Sequence, residues 1–323
     1  MMLRAKINSE IKKLSQSFSL TALDIGARNG VKNDLDFIAP IINYYCFEPD
    51  RESPMGGLEK KHDYKSLHII DKAVAENQKT LNINITRQKG CSSICQPDHD
   101  IARRFHREDY YFLDDVLRVE ADSIDNMVEK SVIDEPRYVK MDVQGMELDI
   151  LKGAVSSLQN DIVGIRVEIN FYPMYKDMPE WVEIDKFLRA YGFVSMGFLE
   201  LHSWRRRTKI KYPMKGADFY PYSYGQMMHG DVLYLLEPEL LINKNADDSS
   251  RLLGLFLISL AYGYIDHALV LLNSGSFKDK IYQRYGVDLA VLARNFSLGL
   301  GKYSFLCKII DRTYRAMNRR FSL

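Results

Sequence analysis

Acidic residues follow the apolar runs of this chain at five successive places. Each run predicts a short strand, and an aspartate or glutamate stands at its end: Asp24, Glu48, Asp71, Asp142 and Glu168. The carboxyl ends of parallel strands meet at one edge of an open α/β sheet, where ligands bind. Five carboxylates in this position therefore predict a ligand groove along that edge. Such groups accept hydrogen bonds, take protons or bind hard cations.

The stretch from Tyr138 to Ala154 carries the most local information. It begins as a buried strand ending at Asp142, turns at Gly145, and continues with apolar residues at helical spacing. Glu147 falls in the first turn of this helix, where a carboxylate either complements the helix dipole or contacts a substrate. Taken alone, the pattern also fits a purely structural turn.

The loop after the first strand indicates the kind of ligand. A dinucleotide fold needs G-x-G-x-x-G, so that the backbone can approach a pyrophosphate. Here the loop is Gly26-x-x-x-Gly30, and Arg28 and Val31 stand where the second and third glycines would be. Glu48 is placed to accept hydrogen bonds from a ribose diol. A nucleoside without phosphates is therefore the better match, and S-adenosylmethionine is the obvious one.

The elements that would position these residues alternate along the chain. Helices are predicted at 1–18 and 181–191, strands at 20–25, 41–47, 67–70, 138–142, 162–167, 193–198 and 231–236, and a half-exposed edge strand at 81–85. This order favours an α/β fold with a doubly wound, mostly parallel sheet and right-handed crossovers. Residues 239–323 predict a helical extension, with a pair of apolar helices around Gly263.

Composition narrows the class of protein. The chain has 323 residues, 46% of them hydrophobic and 27% charged, as in soluble globular proteins. A formal charge of +1 gives no steering toward nucleic acid. Four cysteines are too few for a disulfide scaffold, and the longest apolar run, 252–265, is too short to cross a bilayer. We expect a cytoplasmic protein.

Together these motifs make the chain similar to the FkbM-type family of S-adenosylmethionine-dependent methyltransferases. The matching segments are 23–30, 47–49, 73–75, 90–94, 123–125, 140–154, 168–170 and 230–234. Arg28 and Asn29 depart from the commoner residues of the family, and Gln144 stands where glutamate is frequent.

The resemblance implies a seven-stranded Rossmann-like methyltransferase domain over residues 1–238. It also implies methyl transfer to a hydroxyl, often in natural-product or surface-glycan biosynthesis. By position, the cofactor would be held by Asp24, Gly26, Ala27 and Gly30 at its methionine part, by Glu48 at its ribose, by Asp71 and Ala73 at its adenine, and by Asp142.

Methyl transfer to a hydroxyl also requires removal of the hydroxyl proton. In one route Asp142 or Glu168 acts directly as the base, with Glu147 as a further candidate. In the other route Asp142, Glu168 and Asn170 bind Mg²⁺, which lowers the pKa of the hydroxyl. We prefer the direct route.

A cationic run near the end of the domain predicts an acceptor site. Residues 204–211 contain five cations, opened by an aromatic residue. We expect His202, Trp204 and Arg205 to bind an anionic glycan or a phosphate-linked carrier, in a substrate flap over residues 199–229. The alternative is a solvated hairpin without a specific role.

The final residues, 302–323, predict an amphipathic helix with six cations and one aspartate. Such a helix either lies on an anionic membrane surface, such as the inner membrane face, or packs on its own domain or in a homo-oligomer.

The main hypothesis is an O-methyltransferase acting on a sugar hydroxyl of a surface glycan. Its alternatives are methylation of a natural-product hydroxyl, a methyltransferase-like scaffold without turnover, and a nicotinamide oxidoreductase, which the glycine pattern disfavours.

Overall fold

A computed structural model describes residues 2–29, 33–50, 63–208, 224–244 and 248–299. The strands are β1 (Leu20–Ile25), β2 (Ile42–Phe47), β3 (Ser66–Ile70), β4 (Ala73–Val74), β5 (Lys79–Thr86), β6 (Leu113–Asp122), β7 (Pro136–Met141), β8 (Gly164–Asn170), β9 (Phe193–Trp204) and β10 (Gln226–Leu236). The α-helices are α1 (Met2–Ser15), α2 (His99–Arg104), α3 (Ile124–Glu129), α4 (Glu147–Lys152), α5 (Val155–Asn160), α6 (Trp181–Ala190), α7 (Pro238–Lys244), α8 (Ser249–Ala261), α9 (Ile265–Leu271), α10 (Phe277–Tyr285) and α11 (289–299).

The central sheet has seven strands in the order β3-β2-β1-β7-β8-β10-β9. The pairs from β3 to β8 are parallel, whereas β10 runs antiparallel to both of its neighbours. The strand order reverses between β1 and β7, and this switch point is where open α/β sheets bind ligands. The predicted doubly wound, mostly parallel sheet is confirmed.

The middle of the sheet is buried on both faces, which explains why its strands are continuous apolar runs. All residues of β1 and β8 are buried. The helices after the sheet belong to the same hydrophobic core, because α8 is buried from 251 to 260 and contacts β7 and β10. The predicted apolar helix pair is present as α8 and α9, with Gly263 at a φ of +84° between them.

A second, three-stranded sheet has the order β4-β6-β5. The edge strand predicted at 81–85 is β5, but its partner β6 was not predicted. Exposed charged residues alternate irregularly with apolar ones along β6, so its sequence lacks a clear period of two. Ile83 and Ile85 of β5 line a cleft at the edge of the central sheet, so the small sheet forms one wall of that cleft.

The strands β9 and β10 form a long antiparallel ribbon. The strand predicted to end at 198 continues to Trp204, so His202 and Trp204 lie on a strand. Buried Arg166 of β8 holds the ribbon by ion pairs with Glu200 of β9 and Asp231 of β10, and it also pairs with Asp34. Part of the predicted flap, 209–223, lies outside the described residues.

Among the helices that the structure describes, none combines the length and apolar character needed to cross a membrane. The predicted basic helix at 302–323 lies outside the described residues.

Candidate active site

A cleft opens at the carboxyl ends of β1, β2 and β7, with a volume of about 780 Å³ including the part open to solvent. Four residues predicted to bind the cofactor line it: Gly26, Glu48, Ala73 and Asp142. Its other walls come from the segment 89–94 and from β5. The structure thus brings together residues from six separate parts of the sequence.

Gly26 lets two loops of the cleft touch. Its φ is +84°, and a Cβ atom there would lie 2.0 Å from the carbonyl oxygen of Asp142. The two loops are also joined by a hydrogen bond from the Asp142 amide to the Ile25 carbonyl, at 3.0 Å. Any other residue at position 26 would force them apart, so glycine is required here.

Asp24 lies beneath the cleft. It is fully buried, its Oδ1 is 3.0 Å from Lys140 Nζ, and the hydroxyl of Tyr44 donates to its Oδ2 at 3.3 Å. Burial alone would lower the pKa of Lys140, but the carboxylates of Asp24 and Asp142 raise it above the usual range. The buried ammonium therefore stays charged and ties β1 to β7.

Three predicted cofactor contacts are not visible at the cleft surface. Asp24 and Ala27 are buried and do not line the cleft, while Asp71 is exposed and does not line it either. Gly30 lies outside the described residues. For all four residues, contact with a cofactor stays a prediction.

Glu48 offers a buried acceptor to a ligand in the cleft. Its Oε1 accepts a hydrogen bond from the Asp50 amide at 2.9 Å, and Arg28 Nη2 is 3.8 Å away. Burial raises the pKa of Glu48. Arg28 also forms an ion pair with Asp50, so the cation that departs from the family pattern is held at the end of β2.

Gln144 connects the cleft to a second polar group. Its Nε2 donates to Asp142 Oδ1 at 3.0 Å and to Glu168 Oε2 at 2.6 Å. Its Oε1 accepts from the hydroxyl of Tyr175 at 3.1 Å, and Ser93 donates to its carbonyl oxygen at 2.6 Å. The φ of Gln144 is +59°, which is strained for a residue with a side chain. Its position is therefore strongly constrained.

Buried Glu168 and partly buried His229 form an acid–imidazole pair, with Oε1 and Nδ1 3.0 Å apart. Burial, followed by the charges of Asp142 and Glu147, raises the pKa of Glu168 well above its usual range. Burial, followed by His202, lowers the pKa of His229 to about 4. Because the two groups are in hydrogen-bond contact, the protonation of one affects that of the other, and they titrate as a pair.

His229 is the functional candidate that sequence reasoning missed. It lies two residues before the predicted strand 231–236, and it reaches Glu168 only because β10 pairs with β8 in the register His229–Asn170. The single histidine offered no motif, whereas Glu168 was found from its place at a strand end.

Glu147 supports the turn from beneath. It is 1% exposed, and its carboxylate accepts hydrogen bonds from the amides of Val143 at 3.2 Å and Gly145 at 3.0 Å. Burial outweighs these bonds and raises the pKa of Glu147 to about 7. It does not line the cleft, so the structure favours the positioning role over contact with substrate.

The donor set does not suit the predicted Mg²⁺ site. The amide nitrogen of Gln144 fills the place between Asp142 and Glu168, where a shared cation would bind. Within the described ranges, no three His, Cys, Asp or Glu side chains are arranged to hold a metal ion. Asn170 lines a separate pocket with Phe171 and Trp181. The magnesium prediction is not supported.

Two of the three predicted acceptor residues lie beside His229. The ring of His202, with a side chain 51% exposed, stacks on His229 with centroids 4.6 Å apart. The ring of Trp204 meets His229 edge to face at 5.7 Å. Arg205 is exposed at the end of β9. Acceptor binding by these three residues stays a prediction.

Two solved structures of methyltransferases resemble this one weakly. A methyltransferase FkbM from Methylobacillus flagellatus KT has 14% identity and a TM-score of 0.36, over 67% of this chain and 43% of that chain. A precorrin-6y C5,15-methyltransferase from Geobacter metallireducens GS-15 has 12% identity and a TM-score of 0.31, over 72% of this chain and 86% of that chain. With such TM-scores, neither structure bears on the site.

No curated protein matches the sequence. The methyltransferase FkbM domain family, however, matches residues 24–195. This match covers more than half of the chain and includes the Gly26 loop, Glu48 and the turn from Asp142 to Gly145. The resemblance drawn from the motifs is confirmed, and the chain belongs to the FkbM methyltransferase family.

Proposed function

We propose that this chain is an S-adenosylmethionine-dependent O-methyltransferase that methylates a sugar hydroxyl in surface-glycan biosynthesis. The observation that carries the proposal is the cleft in which Gly26, Glu48 and Asp142 converge at the switch point of the sheet. A polar network containing an imidazole continues from that cleft through Gln144. The arrangement supplies a nucleoside site and a proton acceptor side by side.

The residues of the cleft fit the proposed cofactor. Gly26 lets the loops after β1 and β7 touch, and both loops line the cleft where the methionine part would bind. Glu48 is available to accept hydrogen bonds from the ribose, and Ala73, Ile83 and Ile85 give an apolar wall for the adenine. When bound there, S-adenosylmethionine supplies an activated methyl group.

The chain then has to orient the acceptor and take its hydroxyl proton. In this proposal His229 accepts that proton at Nε2, which makes no hydrogen bond with any described residue, while Glu168 orients the ring through Nδ1. Asp142 joins the network through Gln144 and carries negative charge to the cleft. The route without a metal ion is thereby kept, but His229 replaces Asp142 and Glu168 as the group that takes the proton.

Titration calorimetry tests the cofactor assignment. The protein should bind S-adenosylhomocysteine and not NAD. Glu48→Gln should weaken this binding by roughly 10- to 100-fold, because a hydrogen bond to a charged group is lost. The matched control is Glu129→Gln, an exposed acid on α3 remote from the cleft, which should bind like the parent. Asp71→Asn in the same titration decides whether Asp71 contacts the adenine.

A labelled methyl donor tests the reaction. Offered a panel of sugars and sugar derivatives, the enzyme should place the label on a hydroxyl oxygen. Binding of NAD without binding of S-adenosylhomocysteine would contradict the proposal. Binding of S-adenosylhomocysteine without transfer to any hydroxyl would favour the scaffold hypothesis instead.

A further inference from the structure

An arginine beside the acceptor side of the site has no carboxylate partner among the described residues. Arg107 follows α2, is half-buried, and lies with its guanidinium 5.0 Å from the ring centre of Tyr110 and 5.3 Å from that of Trp204. It forms no ion pair with any residue that the structure describes, and its buried Nε makes no hydrogen bond. We propose that Arg107 and Trp204 form a subsite for an anionic group of the acceptor, a carboxylate or a phosphate.

Two of the neighbouring arginines, in contrast, have carboxylate partners. Arg103 pairs with Asp100 at 2.9 Å, and Arg207 pairs with Glu108 at 2.8 Å. Their charges are already balanced by side chains of the protein, whereas that of Arg107 is not. Exposed Arg104 and Arg205 add positive potential nearby, which would attract an anionic ligand.

The chemistry of the guanidinium shows what is missing. A ring face stabilises the positive charge but satisfies none of the N–H groups strongly. A carboxylate or a phosphate accepts two parallel hydrogen bonds from a guanidinium, with a geometry that no neutral sugar hydroxyl reproduces. An anion would therefore supply both the charge and the acceptors that Arg107 lacks.

The subsite is built into a packed cluster. Phe105 packs against Trp204 at 6.1 Å and against Tyr172 at 5.7 Å, both edge to face. The amide of Arg207 donates to the carbonyl of Arg104 at 2.7 Å and fixes the chain just after β9 against α2. These contacts hold Arg107 in place before any ligand arrives, which limits the entropy lost on binding.

The subsite is also connected to the proposed chemistry. Trp204 contacts Arg107 on one side and His229 at 5.7 Å on another. A sugar stacked on Trp204 could present a hydroxyl to His229 and an acidic substituent to Arg107. This inference rests on the proposed function and deepens it: the acceptor is a sugar acid or a sugar phosphate.

Nuclear magnetic resonance of the full chain tests the subsite without turnover. We expect the Nε–H signal of Arg107 to shift on titration with methyl glucuronide or with glucose 1-phosphate, and not with methyl glucoside. The first two probes distinguish a carboxylate from a phosphate. Arg107→Gln should weaken binding of the preferred anionic probe by tenfold or more. Arg103→Gln is the matched control and should bind it like the parent.

Several outcomes would overturn the subsite. One is that methyl glucoside binds as tightly as the anionic probes. Another is that Arg107→Gln and Arg103→Gln weaken binding of the anionic probe equally. The third is that neither anion shifts the Nε–H signal of Arg107. If Arg107→Gln does not fold, Arg107→Lys takes its place, since lysine keeps the positive charge but cannot donate two parallel hydrogen bonds. Arg107→Lys should bind the probe more weakly than the parent. Unchanged binding would again overturn the subsite. Calorimetry with S-adenosylhomocysteine on the same samples reports the cofactor site, so failure of the subsite and failure of the proposed function are distinguishable.

Discussion

Glu168 is a buried carboxyl group surrounded by other groups that titrate. Burial, followed by the charges of Asp142, Glu147 and Asp231, raises its pKa, while the imidazole of His229 contacts it and the ring of His202 stacks on that imidazole. For His229 to accept a proton at Nε2, the pair must first have lost the proton that the two groups share. The raised pKa of Glu168 places that loss at higher pH than for an ordinary carboxyl group.

This arrangement predicts the pH dependence of methyl transfer. The rate should rise with pH through an acid limb that lies above the usual range of a glutamate. Glu168→Gln should lower kcat on the order of 100-fold and move the acid limb to lower pH, because His229, whose own pKa is low, then titrates alone. A pH–rate profile with saturating cofactor measures both effects. If the acid limb of Glu168→Gln lies at the same pH as that of the parent, Glu168 and His229 do not titrate as a pair. Glu129→Gln is the control and should have the profile of the parent.

At this scale the sequence was informative only where a residue follows a predicted strand. Asp142 and Glu168 were predicted to be neighbours because the ends of parallel strands meet. His229 and Arg107 depend instead on the register of an antiparallel pair and on a loop after a short helix. Neither register nor loop path can be read from hydrophobic periodicity.

The loop after β1 is the element that sets the shape of the cleft. It passes so close to the loop after β7 that only hydrogen occupies the side-chain position of residue 26. The glycine pattern of this loop served to choose between a dinucleotide and a nucleoside, but it did not predict the contact that the structure shows. The strand β6 was not predicted, because exposed acidic residues interrupt its apolar pattern. It pairs with β5, which lines the cleft.

Gly26→Ala should therefore destabilise the protein by more than about 2 kcal/mol, since the Cβ atom meets backbone and the φ is positive. Binding of S-adenosylhomocysteine should fall with it. Gly275→Ala is the matched control, because a Cβ atom there meets nothing within 4 Å. Urea unfolding of both variants gives the comparison. Equal stabilities would mean that the two loops are not in contact.

Among the described residues, the hydrophobic cluster around the central sheet extends past the region matched to the family. Apolar residues of α8, α9 and α10 belong to the same cluster as those of β1, β7 and β8. The helical extension was predicted as a separate segment from its place outside the resemblance. Periodicity identified its helices, but it gave no information on what they pack against.

A shared core predicts cooperative unfolding. Phe256, fully buried in α8, lies far along the chain from the two tryptophans, Trp181 and Trp204. Phe256→Ala should cost about 3–5 kcal/mol and shift the unfolding transition seen by tryptophan fluorescence as much as that seen by circular dichroism. Val291→Ala, at a site 49% exposed, should change little. If Phe256→Ala leaves the midpoint of the fluorescence transition unchanged, the helical extension unfolds separately from the sheet.

Gln144 gives the site a property that an acid in its place would not. A primary amide neither gains nor loses a proton over the physiological range, yet it donates to Asp142 and Glu168 at once. A glutamate there would add a third carboxyl group, and the three groups would need a counter-ion or a shared proton to stay together. With glutamine, the spacing of the two acids depends neither on a counter-ion nor on a shared proton. The strained backbone of Gln144, with its φ of +59°, is part of the conformation that holds this spacing constant.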